Sequence, residues 1–293
     1  MYTWVKCCIL ALLTVLQVCN AQEVVYRGLG EYRDSYHTEL LQAILDSAKP
    51  GQFTARSYPL SIPHQRAFEL LVTRTDLDIM IGYATQERLD SYHAIQIPIM
   101  KGLSGWRVAL VHENNINRFQ NISNLEQLRA FKPGMFHTWT DNKIFEHNGI
   151  EPVKGAHFVG LFRMLHKQRF DYFPMSILEA AREAETFKKE YKLAIAVDPH
   201  ILITYPVCFY FYVDKTNKDL AKVLNIGFEK IISSGQFEQI FSKHHNHLLQ
   251  KFLTGNRKIV RLANPLLPVS VPLDRPELWV HYQYSDSRPT TLY

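Results

Sequence analysis

From residue 23 onward, short apolar runs alternate with helical segments, and this alternation is the feature that most limits the fold. Residues 23–27, 53–60 and 77–81 have the composition of β-strands, and residues 36–45 and 64–73 between them carry apolar side chains at helical spacing. Strand–helix–strand–helix–strand with short connections is typical of a parallel α/β sheet flanked by helices. The sequence therefore predicts an α/β lobe at the start of the mature chain.

The same alternation restarts near residue 106 and ends in a hydrophobic run followed by helices. The predicted strands are 106–111, 169–174 and 193–197, and the hydrophobic run 201–213 follows them. The predicted helices are 122–128, 140–147, 158–168, 178–191, 220–233 and 237–245. We expect two lobes, with the chain crossing between them near residues 107–112 and again near 203–210.

The resulting division assigns four parts to the chain. Residues 1–21 are a leader, residues 22–108 plus 207–247 form lobe 1, and residues 109–206 form lobe 2. Residues 248–293 are rich in proline and show little periodicity, so we expect an extended tail on the surface.

The N-terminal 21 residues have the three parts of a secretory signal peptide. Lys6 precedes an uncharged run from Cys7 to Val18, and the small residue Ala21 follows at the expected cleavage site. The run is about twelve residues, shorter than the ~20 that a membrane-spanning helix needs. We expect export with cleavage after Ala21; lipidation at Cys19 and an uncleaved N-terminal anchor are the alternatives.

Composition excludes several classes of function. The 293 residues have a net charge of +5 without a polybasic run, which argues against a nucleic-acid partner. After cleavage only Cys208 remains, so no intramolecular disulfide can form, and its apolar surroundings predict a buried thiol. His244 and His247 have no cysteine or carboxylate close in sequence, and no catalytic motif is present, so we expect no metal, no cofactor and no enzymatic activity.

Five pieces of the chain together resemble family 3 of the bacterial extracellular solute-binding proteins, the periplasmic amino-acid-binding proteins of ABC importers. They are residues 77–88 with their Thr-x-x-Arg turn, 95–100, 122–128 with Gly134, 165–171 and 215–241. The resemblance covers roughly residues 23–245. It implies a type II periplasmic-binding-protein-like α/β fold, with a mostly parallel sheet flanked by helices in each lobe and two hinge crossings.

The resemblance assigns binding roles to two loops of lobe 1. In the family the arginine of the Thr-x-x-Arg turn pairs with the ligand carboxylate, which implies Arg88, with Thr85, for that role here. An arginine that only caps its own turn is the alternative. For the loop after the first strand, the resemblance implies ligand contacts from Tyr32 and Arg33. The alternative is that this loop only provides a helix N-cap, formed by Asp34.

In lobe 2, residues 136–141 occupy the position of the family's Gly-Thr loop. The resemblance implies that Trp139 stacks on a ligand, although packing in the core is the alternative for this side chain. Thr138 and Thr140 would donate hydrogen bonds at the start of the following helix.

Two positions depart from the family pattern. The family usually has a carboxylate after the last strand of lobe 2, where this chain has Met175 and Ser176; Glu179, one helical turn later, is the nearest acid. Tyr83 replaces the hydroxyl residue five positions before Arg88. These changes argue against an ordinary α-amino acid and favour a larger or aromatic anion.

The resemblance implies a periplasmic, monomeric protein that captures a small carboxylate-bearing solute by hinge closure for an inner-membrane ABC permease. The first alternative is a sensory module that presents its closed form to a receptor. The second alternative is an enzyme on the same fold, which the lack of a catalytic motif or an additional domain disfavours.

Overall fold

The computed structural model describes residues 21–27, 31–59, 64–73, 76–253 and 256–280, with only the backbone at 31–34, 64–65 and 253. The signal-peptide prediction lies outside the described residues except at Ala21. The strands are β1 Gln22–Arg27, β2 Phe53–Ser57, β3 Ile79–Tyr83, β4 His93–Ile95, β5 Trp106–His112, β6 Gly134–Phe136, β7 Val153–Gly155, β8 Phe173–Ser176, β9 Ile195–Val197, β10 Ile201–Thr204, β11 Phe209–Val213 and β12 Lys258–Arg261. The helices are α1 Glu31–Ala48, α2 His64–Thr73, α3 Gln86–Ser91, α4 Leu125–Leu128, α5 Asp141–His147, α6 Phe158–His166, α7 Ala180–Lys189, α8 Lys218–Ser233 and α9 Gln236–Leu253.

Most strands form one large sheet in each half of the molecule, and β6 and β7 form a separate parallel pair. The first sheet has the order β2-β1-β3-β11-β4, with β1 parallel to both β2 and β3. Strand β11 returns from the far half of the chain and inserts antiparallel between β3 and β4. This sheet and its helices form lobe 1, as the alternation of elements predicts.

In the second sheet, as in the first, one strand runs against the others. The order of the second sheet is β12-β10-β5-β8, with β9 also paired to β5. Strand β5 runs antiparallel to β8, β9 and β10, and only the β10–β12 pair is parallel. The cause is directional: β5 leads away from the first crossing, whereas β10 leads back to the second crossing.

Most predicted elements occur where the pattern places them, and the differences lie at their ends. Helix α2 has the predicted bounds, whereas α1 starts at Glu31, before the predicted cap, and α9 continues to Leu253. Strand β8 starts four residues later than predicted, at Phe173. The short helix α4 starts three residues later than predicted, at Leu125, and is capped by Asn124.

Two crossings join the lobes at one place. The first runs through residues 96–105, before β5, and so precedes the predicted position near 107–112; the second, at 205–208, lies within the predicted range. The Tyr205 N–H donates to the Gly105 carbonyl oxygen at 3.2 Å. A Cβ at Gly105 would lie 2.0 Å from the Tyr205 carbonyl oxygen, so only glycine lets the two backbones pack this closely.

Residues 256–280 are more ordered than the predicted surface tail. We call residues 256–280 the C-terminal strap. Its strand β12 adds to the second sheet beside β10, and Val260 is buried there. The strap then returns to lobe 1, where the Trp279 ring covers Gly102 (φ +75°) and Val280 donates to the Lys101 carbonyl oxygen at 2.9 Å.

The cores follow the apolar periodicity of the sequence. Leu40, Leu41, Ile44 and Leu45 of α1 are fully buried in the apolar cluster that includes β1 and α8. Cys208 is buried as predicted. In the described part of the chain, no helix combines the length and apolar character that crossing a membrane requires.

Candidate ligand-binding cleft

A cavity of about 580 Å³ lies between the lobes. Lobe 1 contributes the end of β3 and the start of β11, and lobe 2 contributes the start of β5, the end of β8 and the loop before α5. Because Arg107 of β5 and Ser176 of β8 are register partners, side chains more than 60 residues apart in sequence meet at this edge. Strand ends and loops thus converge on one concave site, as is usual for small-ligand sites.

Seven of the ten site residues predicted from the sequence line this cavity. They are Tyr83, Arg88, Thr138, Trp139, Thr140, Ser176 and Glu179. The structure therefore brings together loops from both lobes that the sequence analysis assigned to one site. Whether these residues bind a ligand remains a prediction.

Aromatic rings form much of the cavity wall. The Tyr83 and Phe209 rings of lobe 1 are tilted against each other, with their centroids 4.2 Å apart. In lobe 2, half-buried Trp139 stacks on Phe173 at 5.7 Å and 24°. Trp139 thus packs against the core and also lines the cavity, so its two predicted roles are compatible.

Asn142, which the sequence analysis did not identify, fixes the loop that carries Trp139. Its Nδ2 donates to the carbonyl oxygens of Phe136 at 2.9 Å and Trp139 at 2.8 Å. These bonds tie the loop to the first turn of α5, although Thr140 itself makes no side-chain cap there. Trp139 and its two threonine neighbours are therefore held at the cavity by a buried amide.

The cavity floor contains a buried ion pair that was not among the site residues predicted from the sequence. Arg107 Nη2 donates to Asp141 Oδ1 at 2.5 Å, and Arg107 Nε donates to the Tyr205 hydroxyl at 2.7 Å. That hydroxyl donates in turn to Asp141. Burial by itself lowers the pKa of Arg107, but the facing Asp141 carboxylate and Tyr205 raise it well above its usual value. The charge of Arg107 is thus already paired with the Asp141 carboxylate.

Arg88 lines the same cavity from lobe 1 and has a different environment. Its guanidinium is half-buried, lies 4.7 Å from the centroid of the Phe68 ring and donates from Nη1 to the Tyr83 carbonyl oxygen at 2.9 Å. Among the described residues, no carboxylate pairs with it. Burial lowers the pKa of Arg88, and Tyr212 and Glu87 offset this only in part. Among the described residues, Arg88 is therefore a cation of the cleft without a counter-charge.

The three remaining predicted residues are placed differently. Thr85 caps α3, its hydroxyl accepting from Arg88 N at 3.3 Å, and it lines a neighbouring cavity instead of this one. Tyr32 and Arg33 lie in the first turn of α1, where side chains are outside the described residues. Their predicted contacts stay predictions.

The lobe 2 wall of the cleft carries two predicted polar residues, one at the end of β8 and one after it. Ser176 is buried, and its hydroxyl accepts from Leu178 N at 3.3 Å. Glu179 is half-buried and directly precedes α7. Met175, which stands where the family has a carboxylate, lines the cavity with its apolar side chain.

No family model matches the sequence, and no curated protein matches it. Solved structures do match in fold. The probable amino-acid ABC transporter extracellular-binding protein YtmK from Bacillus subtilis superposes with a TM-score of 0.55 at 14% identity, covering 76% of this chain and 96% of that one.

An ancestral arginine-binding protein gives a similar result in two complexes. Its arginine-bound form matches with a TM-score of 0.50 at 15% identity, over 76% of this chain and 97% of that one. Its glutamine-bound form also has a TM-score of 0.50, at 16% identity, over 76% and 96% of the two chains. The chain has the two-lobed fold of a type II periplasmic binding protein. The predicted fold class is confirmed.

Proposed function

We propose that this protein is an exported, non-catalytic solute-binding protein that captures a small carboxylate-bearing solute and delivers it to an ABC-type importer. The observation that carries the proposal is the state of Arg88. It is a half-buried guanidinium in a cavity between two lobes, without a carboxylate partner among the described residues. A partly desolvated charge in a cleft is stabilised by a ligand of opposite charge.

The chemistry of Arg88 selects the class of ligand. A guanidinium offers a planar fork of N–H donors that matches the two oxygens of a carboxylate, which an ammonium group does not. One of these donors already bonds the Tyr83 carbonyl, an interaction that fixes the orientation of the guanidinium. The rings of Tyr83, Phe209 and Trp139 supply apolar contact area for the rest of the solute.

The mechanism we infer is closure of the two lobes on the solute. Arg88 and Tyr83 belong to lobe 1, whereas Trp139, Ser176 and Glu179 belong to lobe 2, so a solute that contacts both sets favours the closed state. The closely packed crossings at Gly105 and Tyr205 are where such a rotation would be absorbed.

The names of the structurally similar proteins support this proposal. One is an ancestral protein solved with arginine and with glutamine, and another is a probable amino-acid ABC transporter extracellular-binding protein. The low sequence identity, 14–16%, leaves the ligand to be decided by experiment. Export to the periplasm rests on the leader at residues 1–21 and belongs to the same proposal.

The test is a thermal-shift screen of the mature protein against amino acids, simple carboxylates, aromatic acids and oligopeptides. A ligand at a hundredfold excess over its Kd stabilises the folded state by about 2.7 kcal/mol. We expect carboxylates to produce the shift. Arg88→Met should weaken binding at least tenfold, because hydrogen bonds to a charged group contribute about 1.5–3 kcal/mol.

Arg56→Met is the matched control. Arg56 is also an arginine of lobe 1, but it is exposed on β2 and pairs with Glu23 at 2.9 Å. It should leave the affinity unchanged. Normal binding by Arg88→Met, or ligands that all lack an anionic group, would refute the proposal.

A further inference from the structure

The C-terminal strap is a further covalent connection between the lobes, in addition to the crossings at residues 96–105 and 205–208. Helix α9 lies in lobe 1, packed against α1 and α8, whereas β12 pairs with β10 in the sheet of lobe 2. After β12 the strap leads back to lobe 1, where Val271 is buried. The chain thus passes from lobe 2 to lobe 1 once more, through residues 264–271.

The strap is firmly attached to lobe 2 before this passage. All of β12 is paired with β10. Asn148 is buried and makes two hydrogen bonds to Ala263, with Nδ2 donating to its carbonyl oxygen at 2.8 Å and Oδ1 accepting from its N–H at 2.9 Å. Asn264 Nδ2 donates to the carbonyl oxygen of Pro206, in the second crossing, at 2.8 Å. Because detachment would leave a buried amide unsatisfied, residues 258–264 move with lobe 2.

The strap is attached to lobe 1 after the passage. Val271 is buried in the apolar cluster that contains Phe68 of α2. The Arg275 guanidinium makes two hydrogen bonds to the Glu229 carboxylate of α8, at 2.7 Å from Nη1 and 3.0 Å from Nη2. A bidentate pair of this kind also fixes the orientation of both groups. Residues 271–280 therefore move with lobe 1.

Between these anchors, residues 265–269 pass beside the cleft. They line a cavity together with Arg88 of lobe 1 and Thr140 of lobe 2, and these two side chains also line the cleft. Val269 is fully exposed. The passage thus joins the lobes beside the space between them, so that movement of the two rims away from each other separates its anchors.

The passage is short and is folded into two turns. The Leu267 N–H donates to the Asn264 carbonyl oxygen at 3.4 Å, and the Val271 N–H donates to the Pro268 carbonyl oxygen at 3.1 Å. Val271 is seven residues after Asn264. A fully extended chain spans at most about 3.3–3.6 Å per residue, so this stretch reaches about 25 Å at most. Opening of the lobes would first break the turns and then be stopped by the extended chain.

We propose that the C-terminal strap is a tether that limits how far the two lobes open. This inference rests on the proposed function in one respect, because it assumes that the lobes move about the crossings. A tether removes the most open conformations and so shifts the ligand-free protein toward the closed arrangement. The protein then loses less conformational freedom when it closes on a solute.

The test measures the distance between the lobes in the ligand-free protein. Val72 of α2 and Lys143 of α5 are exposed and lie on opposite lobes. Cys208 is buried and is the only cysteine after residue 21, so Val72→Cys and Lys143→Cys supply two accessible thiols for spin labels. Double electron–electron resonance then gives the distribution of distances between the two labels.

The strap is lengthened without removing an anchor. A glycine–serine insert of about ten residues after Val269 adds roughly 16–19 Å of r.m.s. length. The insert carries the site of a specific protease, so the strap can also be cut in the same molecule. We expect the insert to shift the distribution to longer distances and to broaden it, and cleavage to extend the shift. The uncut protein keeps every anchor, so its result decides the proposal even where the cut fragment dissociates.

The same insert after Gly51 is the matched control. Gly51 lies in an exposed turn between α1 and β2, within lobe 1, and the distribution should stay as in wild type. An equal shift in this control, or a shift to shorter distances with the strap insert, would overturn the tether. A broad distribution that neither insertion nor cleavage in the strap changes would also overturn it but leave lobe movement standing. A narrow distribution that neither treatment changes would contradict lobe movement itself. Carboxylate binding through Arg88 is decided separately, by the thermal-shift screen.

Discussion

Two arginines line the same cleft from opposite lobes, and their surroundings differ in one respect. The side chain of Arg107 is 10% exposed and faces Asp141, which is 7% exposed, with the Tyr205 hydroxyl bonded to both. Arg88 is half-buried and has a backbone carbonyl and an aromatic ring as its partners in the described part of the chain. One guanidinium is neutralised within the protein, and the other is not.

The difference shows how a binding arginine can be separated from a structural one. Both side chains are desolvated, which by itself lowers the pKa of each, yet the pKa of Arg107 is raised and that of Arg88 is lowered. The opposite directions follow from the presence or absence of a carboxylate at contact distance. We therefore expect changes at Arg107 to affect folding and changes at Arg88 to affect binding.

The largest expected effect is on folding, through the partner of Arg107. Asp141→Asn keeps the shape of the side chain but leaves the buried guanidinium without its anion. Removing one member of a buried ion pair costs about 3–5 kcal/mol. Denaturant unfolding should show this loss, and the double variant Arg107→Met/Asp141→Leu should recover most of it. A loss below about 1 kcal/mol would mean that Arg107, like Arg88, does not depend on a partner within the protein.

A smaller effect is expected from the hydroxyl that bridges the pair. Tyr205→Phe removes a donor to Asp141 and an acceptor for Arg107 Nε while keeping the ring. Leaving buried polar groups unsatisfied costs about 1–3 kcal/mol. The free energy of unfolding should fall by that amount, with the affinity for carboxylates unchanged. Tyr172→Phe, at a buried tyrosine of the same lobe whose hydroxyl has no hydrogen-bond partner among the described residues, is the control and should change stability little.

The same comparison shows what could be predicted from the sequence. Arg88 was identified because the Thr-x-x-Arg turn and the strand before it are contiguous in the chain. A contiguous pattern of this kind can be recognised in a single sequence. Arg107 was included in a predicted strand without a role. A charged residue inside the apolar run from Trp106 to Val111 could have indicated that Arg107 has a buried partner of opposite charge. The identity of that partner, 34 residues away at the start of α5, depends on the sheet register.

The C-terminal strap was beyond sequence reasoning for a related reason. Strand β12 has four residues and only Val260 of them is buried, which is too short for an alternation to be recognised. Strand β12 pairs with β10 in the sheet that also contains β5, and β5 starts about 150 residues earlier in the chain. The pairing is therefore long-range in sequence. The order of the lobes could be predicted because it follows from local strand and helix signals, whereas the addition of a late strand to an early sheet could not.

The next prediction tests whether the ligand of Arg88 also carries an amino group. Glu179 lines the lobe 2 wall of the cleft. In sequence, it is the acid nearest to the position where the family usually has a carboxylate that pairs with an ammonium group. If the solute is an amino acid, Glu179→Gln should weaken its binding by about 0.5–1.5 kcal/mol, roughly two- to tenfold in Kd. The matching carboxylate without the amino group should bind both proteins equally, as measured by calorimetric titration. An equal loss for both compounds would show that Glu179 acts on the fold of the site instead.

The smallest expected effect is on the stability of Arg88→Met, and it completes the contrast with Arg107. Arg88 contributes one hydrogen bond and a stacking contact, each about 0.5–1.5 kcal/mol, against the cost of partly desolvating an unpaired charge. Because these contributions oppose each other, the free energy of unfolding without ligand should change by less than about 1 kcal/mol. Denaturant unfolding beside Asp141→Asn is the measurement. A loss as large as that of Asp141→Asn would show that Arg88 is needed for folding, and the loss of ligand binding by the same variant would then no longer identify a binding residue.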